Sequence, residues 1–242
     1  MAGTRASYGT LRAVPTRTPR ATAARSGRAA AARATRRRAD GEVTRARMLD
    51  AVIESIVEKG YYQTSSNEIA RRAGVTWGTI QHQFGTREQL LLAVIDRRWH
   101  DLEHAVATAQ VEGDTLEERL LSVLEVLGQH YGRPSHLAHL QIALDLTHDP
   151  NVSAEARTAV RRHGAELERA WRPLFEQALG EAASDQDLVT YAFLTLRGYL
   201  SANVLATAIS GKKTGVGQRD LLVNGVACAI RERAAAQGLS TD

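Results

Sequence analysis

From Glu42 to Glu58 the apolar residues Met48, Val52, Ile53, Ile56 and Val57 recur at helical spacing, and Lys59-Gly60 supplies a stop. A shorter pattern follows. Thr64 is placed to N-cap a helix whose apolar residues, Ile69 and Ala73, fall four apart on one face. Ala70 precedes Gly74 by four residues, so a second helix can cross closely there, and Gly74 supplies the tight turn. Val75 packs inward, Thr76 caps the next helix, and Ile80 and Phe84 form its buried face. Trp77, Gly78, Thr79, Gln81 and His82 are left on the outside. Two short helices around a glycine turn, the second with a polar outer face, predict a helix-turn-helix whose second helix enters a DNA major groove.

The 3.6-residue period persists to the end of the chain. Gly85-Thr86 breaks the recognition helix, and Thr86 caps a fourth helix from Arg87 to about Gln110, with Leu91, Ile95, Trp99, Leu102 and Val106 on one face. Thr115 and Glu118 form a capping box before Leu116–Tyr131. Pro134-Ser135 opens a helix to about Thr147, and Ser153 opens one to Leu179, bent near Pro173 and stopped by Gly180. Ser184 opens Asp185–Ile209, and Arg219–Gln237 is the last. No strand-like alternation appears. The expectation is an all-α chain of about nine helices: a three-helix DNA-binding domain over 41–86, then a larger helical ligand-binding and dimerisation domain over 87–242. Leu188–Ile209 is mostly apolar, but Arg197 near its centre would cost about 2.5–3.5 kcal/mol in a bilayer. It is expected as a buried helix of a soluble protein, with no membrane partner.

Charge changes this picture at one end. Of 31 basic and 27 acidic side chains, ten arginines and one acid lie in residues 1–40, leaving 21 basic and 26 acidic in the rest. The folded body is therefore mildly acidic, and DNA affinity there must come from local placement. Residues 1–40 lack periodicity and are expected to be a disordered Arg-rich tail, either a solvated leader or a basic arm that neutralises phosphates. No apolar stretch follows the first arginines as in a signal peptide, although the composition resembles a transit peptide. The single cysteine, Cys228, excludes an intrachain disulfide framework, fits a reducing cytoplasm, and is expected to be a small buried apolar residue.

Gly60-Tyr61, Thr64-Ser65, Ile69-Ala70, Ala73-Gly74-Val75, Gly78-Thr79-Ile80, Phe84, Arg87-Glu88 and Leu90 fall in one order and spacing that resembles the N-terminal domain of TetR-family transcriptional regulators. The resemblance covers Thr44 to Leu90. It implies an all-helical homodimer in which a small-molecule effector, bound in the larger domain, weakens binding to a palindromic double-stranded DNA operator. Carried over by position, it assigns DNA contacts to Thr44, Arg45, Thr64, Ser65, Thr76, Trp77, Gly78, Thr79, Gln81, His82 and Arg87. Gln81 departs from the family's usual Tyr: it can pair with an adenine edge, or face solvent or phosphate. Trp77 either meets a thymine methyl or sugar, or packs half-buried against the first helix.

For the dimer interface, small residues repeat every four positions: Gly198, Ala202 and Ala206 in one helix, and Gly225 and Ala229 beside Leu222 in the next. For the effector site, Trp99, Leu127, His130, Tyr131, His139, Leu140, Leu144, Trp171 and Phe175 are candidate walls, with His130, His139, Gln141 and Asn203 as polar handles. His100/His104 and His136/His139 have metal-ligand spacing, but no acid-and-histidine set accompanies them, so no metal is expected. No Gly-rich phosphate loop, nucleophile elbow or metal-protease helix is present, and neither enzymatic activity nor a cofactor is expected. The reading is a ligand-responsive repressor. The alternatives are a non-specific or architectural DNA binder using the Arg-rich tail, or an activator of the same fold.

Overall fold

The computed structural model describes residues 20–212 and 215–241. Among them are nine α-helices, one 3-10 turn and no strand. The chain divides into two compact units, Met1–Thr44 and Arg45–Asp242. Helix α1 spans Arg20–Lys59. Residues 20–40 are thus helical, which corrects the expectation of a tail without structure: Ala and Arg are among the strongest helix formers, and the stretch holds no proline. Residues 1–19 of that tail lie outside the described residues. Within the first unit the Thr44 hydroxyl donates to the Asp40 carbonyl at 2.8 Å.

In the second unit the helices are α2 (Ser66–Ala73), α3 (Trp77–Phe84), α4 (Arg87–Thr108), α5 (Leu116–Tyr131), α6 (Pro134–His148), α7 (Ala154–Leu179), α8 (Gln186–Ser210) and α9 (Val216–Gln237). A 3-10 turn at Gly180–Ser184, not foreseen from the sequence, links α7 to α8, so Asp185 rather than Ser184 caps α8. Thr76, Thr86, Thr115 and Ser153 each accept a backbone N–H three residues on, and Thr115 with Glu118 closes a capping box. Gly74 ends α2 at φ 68°, a left-handed conformation that favours glycine, and its N–H bonds back to α2 carbonyls.

Two hydrophobic clusters organise this unit. The first joins Met48, Leu49, Val52 and Ile56 of α1 to Ile69, Ile80, Leu90 and Val94, and also to Ala138, Ile142 and Leu146 of α6 and Val152, Ala156 and Val160 around the start of α7. The second gathers Leu120, Leu124 and Leu127 of α5 with Trp171, Phe175, Phe193, Leu196, Val226 and Ile230. The first half of α4 belongs to one cluster, while Leu102 and Val106 belong to the other. So α6 and the start of α7 share a hydrophobic cluster with the helix-turn-helix, joined to it through α4.

Helix α8 is not buried all round. Leu188, Val189, Ala192, Phe193 and Leu196 face the core, whereas Tyr191, Leu194, Leu205 and Ile209 are exposed. By length and composition α8 is apolar enough to cross a membrane; here it packs on α5, α7 and α9.

Candidate DNA-reading helix and ligand cavity

The start of α3 presents the predicted reading surface. Thr76, Gly78, Thr79, Gln81 and His82 are exposed, and Ile80 is fully buried beneath them. Thr76 caps the helix, and its hydroxyl lies 2.9 Å from that of Thr79, so the two side chains are held side by side. Trp77 is half-buried and packs against the first cluster, which supports the packing alternative for part of the ring. The exposed Arg45 lays its guanidinium 5.1 Å from the Phe84 ring, and Arg87 sits 5.9 Å from the Tyr61 ring.

Thr64 is a correction. It is 2% exposed, its hydroxyl donates to the Gly60 carbonyl at 2.9 Å and pairs with the buried Ser55 hydroxyl at 3.0 Å. It cannot meet a phosphate. The N-cap of α2 is the neighbouring, exposed Ser65, which accepts from the Glu68 N–H at 3.2 Å. The arginines of α2 are engaged by carboxylates: Arg71 with Glu68, and Arg72 with Glu54, Glu58 and Glu68. Hydrogen bonds from Arg71 and Lys59 hold the Glu68 carboxyl down at about 2. These charges stay paired across the neutral range.

Helix α4 ties this head to the body. Arg97 pairs with Asp50 at 2.7 Å and donates to the Ala46 carbonyl at 3.2 Å, bracing α4 on α1. Glu88 accepts from the Ser153 hydroxyl at 2.6 Å and backbone N–H at 2.9 Å, fixing the start of α4 to that of α7. The Tyr61 hydroxyl donates to Asp145 on α6, and its pKa is raised by burial and by that carboxylate.

Where the two clusters meet, a cavity of about 180 Å³ opens among α4, α6, α7 and α8. Ile95, Ala143 and Val160 come from the first cluster's side, and Leu102, Tyr131 and Leu167 from the second's. Of the predicted walls, Trp99, Tyr131, His139 and Leu140 line it. Leu127, Trp171 and Phe175 are instead fully buried core. Large aromatic and branched side chains fill a core as readily as they line a cavity, so residue type could not separate the two roles. His130 and Leu144 line other grooves, with Gln141 beside Leu144 and Asn203 in a third.

The polar part of the wall was missed. It consists of Arg98, Arg197, His136 and His163 besides the expected His139. A sequence signal existed for Arg98: it stands three residues after Ile95 and four before Leu102, on the apolar stripe of α4. Burial, followed by the positive charge of Arg98, pushes His136 down to about 4 and His139 to about 3, so both are neutral near pH 7. Among the described residues no group of three or more potential metal ligands occurs.

The expected dimer face is accessible. Gly198, Ala202, Ala206 and Gly225 are exposed, and Leu222 and Ala229 are partly buried. Cys228 is exposed on α9 rather than buried, because it turns away from Val226, Ala227 and Ile230; its thiol reaches Glu232 at 3.5 Å.

Residues 48–94 match the family model described as "Bacterial regulatory proteins, tetR family". The chain is 40% identical over 65 residues to the Pseudomonas putida HTH-type transcriptional regulator SrpR, covering 27% of this chain and 30% of that protein. It is 30% identical over 152 residues to an HTH-type transcriptional repressor of Mycobacterium tuberculosis, covering 57% of this chain and 79% of the repressor. The crystal structure of a TetR-family transcription regulator from Marinobacter aquaeolei shares the fold, with a TM-score of 0.53, 20% identity, and coverage of 79% of this chain and 97% of that one. Helix order, the α2–α3 turn and these relatives agree: the chain belongs to the TetR family of helix-turn-helix transcriptional regulators.

Proposed function

We propose that this regulator is a homodimeric, effector-released repressor, with Thr76–His82 of each subunit reading one half of a palindromic operator. The observation that carries this reading is the path of α4. It begins three residues after the recognition helix ends, is braced on α1 through Arg97 and Asp50, and then lines the cavity through Ile95, Arg98, Trp99 and Leu102. A molecule entering the cavity acts on the seam between the two clusters and tilts the helix that carries the reading head. Pairing of the apolar α8–α9 stripe, Leu194, Gly198, Ala202, Leu205 and Gly225, with a second copy sets two recognition helices about 34–36 Å apart. Ser65, Arg45 and Arg87 supply phosphate contacts at the flanks. The protein acts in the cytoplasm.

Footprinting on DNA beside its own gene is the test. A protected palindrome at modest salt is expected, and its absence would overturn specific operator recognition. The Arg-rich segment motivates the architectural alternative, which deletion of residues 1–40 separates. A repressor keeps its sequence preference and loses mainly salt-sensitive affinity, whereas an architectural binder loses nearly all affinity.

A further inference from the structure

The cavity contains two guanidinium groups and no carboxylate among its described lining residues. Arg98 and Arg197 approach the same ring, Tyr131, at 5.8 and 5.2 Å. Neither forms an ion pair among the described residues. Arg197 has no hydrogen-bond partner there either, and its Nε is fully buried. Of three buried, unpartnered side-chain nitrogens in the described residues, two belong to this wall: Arg197 Nε and His163 Nδ1. The other nitrogen of His163 donates to Asp96 at 2.9 Å, on the side of α4.

Arg98 is only partly satisfied. Its Nη2 donates to the His130 carbonyl at 3.0 Å and to His136 Nδ1 at 3.2 Å, which leaves His136 Nε2–H to donate to Ser201 at 3.1 Å. Its Nη1 lies 2.8 Å from His139 Nδ1, but that nitrogen is also 2.6 Å from the Ser135 carbonyl. A carbonyl only accepts, so His139 Nδ1 carries the hydrogen and cannot accept from Arg98 as well. Nη1 is left seeking an acceptor.

Buried cations are normally paired, because an unpaired one forfeits its hydration without return. Arginine also presents a planar fork matched to a carboxylate. The remaining walls, Ile95, Trp99, Leu102, Leu140, Val160 and Leu167, are apolar. The volume of about 180 Å³ is comparable to the roughly 150 Å³ apolar cavity that takes up benzene. From this geometry we infer that the effector is a compact organic acid, an apolar ring or short chain bearing one carboxylate, gripped by Arg98 and Arg197. The inference names the ligand class for the effector site proposed above.

The test is calorimetric titration of the full-length protein, without DNA, using benzoate and octanoate against benzamide and octanamide. The acids are expected to bind more tightly than the amides by about 10- to 100-fold, the worth of a hydrogen bond to a charged group. Arg197→Met should erase that preference, and Arg197→Lys should restore part of it, which a merely structural role would not do. Circular dichroism on each variant checks folding. Amides binding as well as acids, an unchanged preference in Arg197→Met, or no acid binding at millimolar concentration would each overturn the inference. Because no DNA is involved, such a failure leaves operator recognition intact, and a missing operator leaves this binding untouched.

Discussion

The reading head lies at the start of α4 and the cavity along its middle, and the two treat polar groups in opposite ways. At the head, polar side chains complete the backbone: Thr76 and Thr86 cap α3 and α4, and the α2 arginines are matched by Glu54, Glu58 and Glu68. In the cavity, Arg197 and His163 keep buried nitrogens without partners. The head leaves one buried nitrogen, Arg72 Nε, without a partner, on a guanidinium held by three carboxylates. The cavity leaves two, on a wall with no carboxylate among the described residues, a standing cost that a ligand can relieve. Such an asymmetry suits a switch. Under the proposed function, a ligand would move the equilibrium by interacting differently with two arrangements of α4.

The largest expected effects test whether the two hydrophobic clusters are separable. Ile80 and Leu127 are both fully buried, one in each cluster. Either change to alanine should cost about 2–5 kcal/mol. Ile80→Ala should also abolish DNA binding, whereas Leu127→Ala should retain it at temperatures below its melting point. Thermal denaturation with gel shifts on the same samples checks this. Equal loss of DNA binding from both variants would mean the clusters act as one.

Acid should strike the cavity side. His130 and His136 are lowered to about 4, and His139 to about 3, by burial and then by Arg98. Arg197 also depresses His136, Arg133 also depresses His130, and Arg97 also depresses His139, while Asp101 pulls His130 the other way. Unfolded histidines titrate near 6.5, so below that pH the unfolded state binds protons that the folded state refuses. Stability should fall as pH drops from about 6.5 to about 4, with a slope reflecting up to three protons. Urea melts across that range measure it. A flat profile would show these rings to be solvated.

Much of the head was legible in sequence because its signals are local. An N-cap depends on residues three apart, so Thr76, Thr86, Thr115 and Ser153 could be placed from spacing alone. Thr64 departs from its expected capping role for a non-local reason: its partner Ser55 lies nine residues back in α1, and Ser65 next door offers the same capping chemistry. The cavity was legible only in part. Trp99 and His139 stand on its wall, but Trp171 and Phe175 could not be told from plain core. Arg98 and Arg197 acquire their meaning from Tyr131, which approaches both only in the folded chain. The helix over residues 20–40 carries no apolar periodicity and is encoded only in its Ala and Arg propensity.

A smaller effect has the opposite sign. If the unpaired guanidinium is a cost that a ligand relieves, Arg197→Met should slightly raise the melting temperature of the ligand-free protein, as when buried charges yield to apolar side chains. A lower melting temperature would show that the contacts of Arg197 with Tyr131 and Phe193, at 5.2 and 5.7 Å, outweigh its desolvation.

The smallest effect separates stability from recognition. Thr76 and Thr115 make the same cap, accepting at 3.2 Å from the N–H three residues on, one at the reading helix and one at α5. Changing either to alanine removes one satisfied backbone donor and should cost about 1 kcal/mol. Thr115→Ala should stop there, because no residue expected to touch DNA lies near it in sequence. Thr76→Ala also frees the Thr79 hydroxyl from its 2.9 Å partner and removes a side chain at the groove-facing tip. Its operator affinity should therefore fall further than its stability does. Matched urea melts and gel shifts give the comparison, and equal operator affinity in the two variants would remove Thr76 from the reading surface.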